Sequence, residues 1–369
     1  MHSKGALKKL YLVIAIIVIV VAAAITAYSI IMPRPTPTIP FRIGTSTSGS
    51  MGYKMTLEMI TVLKREMPKY DFLALVTAGY TASLKMYCSE EAEGALAFGF
   101  QAADMYTAGK TFGFFKGFEA KRLPSMLFAI VSLEYGIAIH QRDVGKIRSW
   151  SDLDGKPIFM YPPAWGARPI FENIIFPALG IKPKFIEVDF SMVGTALTKG
   201  DIVATGVYTS AGGMDVPPWV AEMVLTTPIA ILNPSPEELA KLEAKGIKLY
   251  KVDLTKYKPF KIDVKADFMY SVPAITTLFT DDKILPEEDA YKFIKAIEKN
   301  INELKSIDPS FSQLADDFVG MQLLGIEFLR SYYPQAPIHP GLIRYLKEKG
   351  VWKGGSMEVW WNSKYNFNF

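Results

Sequence analysis

Apolar and polar positions along this chain change register repeatedly. From Phe41 onward a short apolar run, a Gly-rich turn and a stretch with helical spacing follow one another, the order expected of α/β units around a sheet with parallel strands. FRIGT (Phe41–Thr45) predicts a strand, the polar loop Ser46–Gly52 follows, and Met55, Met59, Ile60 and Leu63 recur on one helix face. DFLALVT (Asp71–Thr77) and ALAFG (Ala95–Gly99) predict further strands, with a helix over Thr81–Cys88 between them that sets Leu84 and Cys88 on one side. MLFAIV (Met126–Val131) and YGIAIH (Tyr135–His140) are a consecutive strand pair suited to lead out of one lobe.

A second set begins at Ser149–Pro163: a polar turn, a strand, and a loop opening a helix that carries Ile170, Ile174 and Ile175. Phe185–Asp189, Asp201–Tyr208 and Ile229–Asn233 supply its other strands, and a turn at Asn233–Pro236 precedes a helix with Leu239 and Leu242. Phe268–Thr280 is too long and too β-rich for a local strand and predicts a return crossing. After Pro286 the chain turns helical through Ala290, Phe293, Ile294, Ala296 and Ile297. The expected layout is a first lobe of residues 41–132 and 270–369 and a second of 133–269.

Ahead of these lies a different pattern. Lys4, Lys8 and Lys9 precede an uncharged stretch, Leu10–Met32, long enough to cross a hydrocarbon core, which needs about 20 apolar residues. A secretory signal's apolar region is shorter, about 7–15 residues, so the length favours an uncleaved single-pass anchor in residues 1–32, with cleavage and export as the alternative. The flanking lysines place the N-terminus in the cytoplasm and everything after the span outside. PRPTPTIP (Pro33–Pro40) reads as a semi-rigid linker.

Composition narrows the function. With 369 residues, half of them apolar, the chain has material for two cores. A net charge of +4 without a dense basic block gives no electrostatic footprint for nucleic acid. One cysteine and three histidines leave little for a thiolate metal site or for His-based catalysis, so neither a metal nor a cofactor is expected, and no enzyme. Cys88 reads as a small buried apolar residue.

Two loops carry candidate chemistry. GTSTSGSMG (Gly44–Gly52) lacks the Gly-Lys-Ser/Thr of a nucleotide loop and the Gly-x-Ser-x-Gly of a nucleophile elbow. What remains is a run of Gly and hydroxyl residues at a helix start, either an anion site or an ordinary N-cap turn. PPAWGARPIFENI (Pro162–Ile174) repeats that plan and puts Arg168 in the helix's first turn. The macrodipole disfavours a cation there, so Arg168 needs a partner: a ligand carboxylate, or a protein carboxylate such as Glu172 one turn on. Tyr53, Tyr80, Trp165 and Tyr208 sit beside these loops and can wall a pocket.

These segments resemble the TAXI-type extracytoplasmic solute receptors of tripartite ATP-independent periplasmic (TRAP) transporters. Ile43–Tyr53 resembles the family's opening Ile-Gly-Thr loop, Val76–Leu84 its Thr-Gly-Gly-Ser turn, Phe100–Gly109 keeps its Gln and Asp as Gln101 and Asp104, and APIHPGLIRYLKEKG (Ala336–Gly350) is similar to its C-terminal signature. Two departures stand out, Ala164 and Trp165 in place of small residues and Val203 in place of Asp. The resemblance implies a two-lobed periplasmic-binding-protein-like fold of type II with a hinge and an interlobe cleft. It implies a small carboxylate ligand (a glutamate-like acid, a dicarboxylate or a 2-oxo acid), delivered to TRAP permease subunits in the membrane. The expected ligand-binding residues are Ser46, Thr47, Ser48, Tyr53, Tyr80, Thr81, Gln101, Trp165, Arg168 and Tyr208. A receptor for an ATP-driven importer or a sensory system is the alternative within the same fold, and an extracellular hydrolase a more distant one.

Overall fold

The computed structural model describes residues 17–22, 38–256 and 266–352. It comprises two units, Met1–Ile39 and Pro40–Phe369. In the first, residues 17–22 are helical with exposed Ile17, Val18, Ile19 and Val20, and most of the expected span Leu10–Met32 and of the linker 33–40 lies outside the described residues. No described helix is long and apolar enough to cross a membrane.

The second unit is built on ten strands: β1 (Ile39–Gly44), β2 (Tyr70–Leu75), β3 (Gly94–Phe98), β4 (Ser125–His140), β5 (Pro157–Phe159), β6 (Lys184–Phe185), β7 (Ala204–Ser210), β8 (Ile229–Ile231), β9 (Tyr250–Asp253) and β10 (Phe268–Thr280). Their order is β2-β1-β3-β10-β4-β7-β5-β6, with β8 beside β4 and β9 beside β10. Parallel pairs β1/β3 and β5/β7 mark two α/β halves, and the antiparallel pair β4/β10 runs through both. Thr276–Phe279 of β10 pair with β3, whereas Phe268–Ser271 pair with β9. Leu133–Ile139 of β4 pair with β7.

The expected strands Met126–Val131 and Tyr135–His140 are thus one strand. Ser132 and Glu134 look like a polar break, yet both are buried and satisfied. The Glu134 carboxyl accepts from the Ser132 hydroxyl, from Thr209 Oγ1 at 2.7 Å and from the Gly212 N–H at 3.1 Å, and burial raises its pKa.

The first-half helices form where the periodicity placed them. Helix Met51–Glu66 buries Met51, Met55, Met59, Val62 and Leu63, and helix Tyr80–Cys88 buries Leu84 and Cys88. Burial pushes the Cys88 thiol up to about 12, so it is inert at neutral pH. The C-terminal helices return to this half: Phe293 packs on Phe72 and Phe128 at 6.1 Å, and Phe318 on Phe128 at 5.6 Å. The Ala336–Gly350 motif is structural here. The His339 N–H donates to Met126 O at 2.9 Å, and His339 Nδ1 caps helix Pro340–Glu348 by accepting from the Gly341 N–H.

One expected strand shortens. Of Phe185–Asp189 only Phe185 joins a strand; the last bond to β5 is from the Ile186 N–H to Ile158 O at 2.8 Å, and β5 itself ends at Phe159. Asp189 instead caps the turn Phe190–Met192, accepting from the Ser191 N–H at 3.0 Å.

Candidate functional site

The loop after β1 is tied to its neighbours by its own hydroxyls. Thr45 Oγ1 donates to Leu75 O (2.7 Å), Thr77 Oγ1 to Thr45 O (2.9 Å), and Ser83 Oγ to Gly44 O (2.6 Å). Ser50 then caps helix Met51–Glu66 by accepting from the Tyr53 N–H. This sets buried Ser46 and Ser50 at the edge of the first half, facing the opening of helix Ala167–Ile170 and the end of β7 in the second.

Between them lies a cavity of about 20 Å³ lined by Ser46, Ser50, Tyr80, Tyr135, Trp165 and Tyr208, among others. That is room for roughly one water. The halves meet around it. The Met51 N–H donates to Tyr208 Oη across the gap at 3.3 Å. A Cβ on Gly79, whose φ is +148°, would lie 2.6 Å from Ala164 O, and one on Gly166 would lie 2.9 Å from Gln101 Nε2. The structure is therefore of a closed arrangement.

The walls are aromatic and uncharged. Trp165 stacks on Tyr161 (6.0 Å, 10°) and packs on Phe190 (5.1 Å), while Tyr135 packs on Tyr208 (5.1 Å). Burial raises the hydroxyls of Tyr80, Tyr135 and Tyr208, which keeps them neutral. Two polar groups at the cleft are buried without a partner, Trp165 Nε1 and Thr47 Oγ1. An orphaned buried donor costs about 1–3 kcal/mol, and an incoming acceptor recovers it. Among the residues lining the cavity there is no carboxylate, histidine or cysteine.

Of the sequence-predicted residues, Ser46, Tyr80, Trp165 and Tyr208 line the cavity. Gln101 and Thr81 stand directly behind it. Gln101 Oε1 accepts from the Phe98 N–H at 3.0 Å and its Nε2 donates to Thr81 Oγ1 at 2.7 Å. Ser48 is exposed, and Tyr53 is half-buried and not among the lining residues.

Of the two kinds of partner expected for Arg168, the structure shows the protein carboxylate. Arg168 Nη1 donates to Glu187 Oε1 at 2.6 Å and to Tyr161 O at 3.2 Å, its Nε to Glu172 at 3.3 Å, and its guanidinium covers the Phe185 ring at 4.5 Å. The protein supplies the carboxylates that offset a cation in a helix's first turn. Sequence reasoning missed Phe98, Leu133 and Tyr135, which line the cavity from strands whose apolar runs carry no local mark of function.

Two α/β halves joined by a pair of long antiparallel strands, closing on an aromatic cleft, define an α/β protein of the periplasmic-binding-protein-like fold. The chain belongs to the NMT1-like family, whose model matches residues 43–350. Solved structures to which it is similar include MatC from Rhodopseudomonas palustris with bound malate, at 12% identity over 82% of this chain and 99% of that one, with a TM-score of 0.47. Another is a ligand-binding component of an ABC-type import system from Staphylococcus aureus with zinc bound, at 12% identity, 85% and 93% coverage and a TM-score of 0.42. A third is the periplasmic aliphatic sulphonate-binding protein SsuA from Escherichia coli, at 11% identity, 85% and 84% coverage and a TM-score of 0.38. No curated protein matches the chain.

Proposed function

We propose that the protein is an extracytoplasmic solute receptor that closes two lobes, residues 41–132 with 270–369 and residues 133–269, around a small organic anion and hands it to a membrane permease. The observation that carries this is the unpaired indole N–H of Trp165 at a closed, uncharged cavity between the halves. Such a cavity offers hydrogen-bond donors and apolar walls, with no carboxylate or histidine among its lining residues to activate the Ser46 or Ser50 hydroxyl, which suits capture. The Ser46 and Thr47 hydroxyls, beside the N-terminal end of helix Met51–Glu66, favour an anion. The β4/β10 pair is the hinge.

The test is a thermal-shift and calorimetric screen of amino acids, dicarboxylates and 2-oxo acids on the full chain. A ligand that binds only the native state stabilises it by about 2.7 kcal/mol at one hundred times its dissociation constant. Trp165→Phe keeps the stack and removes the donor, and we expect it to weaken carboxylate binding by about 1.5–3 kcal/mol. A screen in which only sugars or cations shift the melt would overturn the substrate class.

Closure has its own check. Gly79→Ala meets both an unfavourable φ and the Ala164 carbonyl, so it should hold the halves apart. Small-angle scattering should then show an expanded particle with or without solute, at near-parental folding. A variant that contracts on binding like the parent counts against a closing cleft.

The finer assignment, a TAXI-type receptor feeding a TRAP permease from an anchor at Leu10–Met32, is supported by the motifs Ile43–Tyr53 and Ala336–Gly350 and by the length of the apolar stretch. Cross-linking in native membranes tests the partner, and N-terminal sequencing of the membrane fraction tests the anchor. Attachment to an ATP-driven importer, or a mature soluble chain beginning near Thr36, would replace those parts and leave the receptor.

A further inference from the structure

A second and larger cavity lies beside the cleft. It measures about 440 Å³, within the roughly 300–1,000 Å³ of small-molecule pockets, and its wall includes Phe100, Phe112, Ile170, Ile174, Phe328 and Lys248. Both halves build it. Phe100 and Phe112 come from the first, Ile170 and Ile174 from the helix after Trp165, and Val272 from the hinge strand β10. Successive residues Ile174 and Ile175 both line it, at the end of the π-helical turn Phe171–Ile175. The aromatic side is preassembled: Phe112 packs edge-on against Phe100 at 5.9 Å and Tyr332 at 5.7 Å, and Phe328 against Tyr332 at 5.3 Å.

Only a thin partition separates this chamber from the cleft cavity. Phe98 lines one and Phe100 the other with ring centroids 5.3 Å apart, and Gln101 Nε2 comes close to Gly166 between them. The cleft cavity has space for about one water, whereas the chamber has space for a solute. Among the described residues lining the chamber the one charged group is Lys248, which is exposed at its edge. Glu327, whose charge acts on Tyr250, is not among the lining residues.

We propose that the chamber takes the apolar tail of an amphipathic anion, a medium-chain carboxylate whose tail lies among Phe100, Phe112, Ile170 and Phe328 and whose charged end meets Lys248. This rests on the reading of the protein as a solute receptor and adds, at a second site, acids with an apolar body to the small acids held in the cleft. An apolar wall rewards each buried methylene by roughly fourfold in affinity. Short acids lack that contact.

Calorimetry of the full chain with acetate, hexanoate, octanoate and glutamate tests it, with octanamide as the neutral analogue. Octanoate should bind about fifteenfold more tightly than hexanoate, and acetate far more weakly than either. Ile174→Glu puts a carboxylate on the chamber wall and should abolish the chain-length dependence. Ser331→Trp, which fills the chamber from an exposed helix position, should do the same if Ile174→Glu melts early. Lys248→Gln should weaken octanoate by about two- to fivefold and leave octanamide unchanged, as expected for an exposed charge pair. Glutamate binding that is lost in Trp165→Ala and unmoved by Ile174→Glu, with no affinity for octanoate, overturns the chamber and leaves the receptor reading intact. Failure of every acid to bind overturns both.

Discussion

Asp104→Ala is expected to destabilise the folded protein by about 3–5 kcal/mol. The Asp104 side chain is fully buried, and its carboxylate accepts from four backbone N–H groups of the loop that follows its helix. Oδ1 accepts from Thr111 (3.0 Å), Phe112 (2.6 Å) and Gly113 (3.2 Å), and Oδ2 from Phe115 (3.2 Å). Alanine leaves these donors without their acceptor. Asp104→Asn keeps the oxygen that serves three of them and turns one bond into a donor–donor contact, so it should cost roughly half as much. The loop carries Phe112 and Phe114, both packed on Phe100 at 5.9 Å, so Asp104→Ala should also loosen the chamber wall. Urea denaturation followed by circular dichroism measures the first effect. An alanine variant with the parental midpoint would mean that the loop is held by something other than this carboxylate.

Asp104 also shows what could be read from the sequence and what could not. Its place in a family-like motif was legible, but its work, gathering N–H groups seven to eleven residues ahead, depends on a loop path that no periodicity encodes. Local pattern sufficed for Met55, Met59 and Leu63, because helix spacing and burial coincide there. It failed at Ser132 and Glu134, where partners 75 and more residues away turn a polar break into a continuous strand. Arg168 lies between these cases. Glu172 was visible one turn along, whereas Glu187 is 19 residues away, just past the edge strand β6, and its approach depends on the tertiary fold. The loops around Ser46 and Trp165 were found because hydroxyl- and Gly-rich turns at helix starts are local. The chamber was not, since its wall is drawn from six separate stretches of sequence, at Phe100, Phe112, 170–175, 246–250, Val272 and 328–332.

Lys54→Met should destabilise the protein by about 2–4 kcal/mol at pH 8 and by less at pH 5. Lys54 projects from helix Met51–Glu66 to Asp308 Oδ2 at 3.1 Å and to Asp215 Oδ2, in the turn after β7, at 3.4 Å. Glu58 lies one turn along the same helix. The Ser310 hydroxyl reaches Asp215 at 3.2 Å and Ser210 at 3.0 Å, and the Ser310 N–H donates to Asp308 at 2.8 Å. Three carboxyls thus share one lysine. Burial first, and then the charge of Asp308, push Glu58 up to about 8, and burial raises Asp215. For Asp308 burial acts upward, but the Ser310 N–H and Lys54 bring the net shift down. A raised acid binds more protons folded than unfolded, so in the parent Glu58 makes stability fall as pH climbs from about 4.5 to about 8. Asp308 contributes the opposite slope, stability present above its unfolded value near 4 and lost below it. Removing Lys54 takes away the cation that allows Asp308 and Asp215 to ionise together, so the deficit is greatest where all three are driven to lose protons. It shrinks at pH 5, where Glu58 has taken up its proton, and the share that Asp308 contributes remains. The loss stays below the roughly 3–5 kcal/mol of a fully buried pair because a third of the Lys54 side chain remains in water. Lys54→Arg, which restores the charge, should recover most of the stability. Urea midpoints at pH 5 and pH 8 decide the matter: a deficit that is equal at both, or larger at pH 5, would show that Lys54 acts through packing and not as the shared counter-ion.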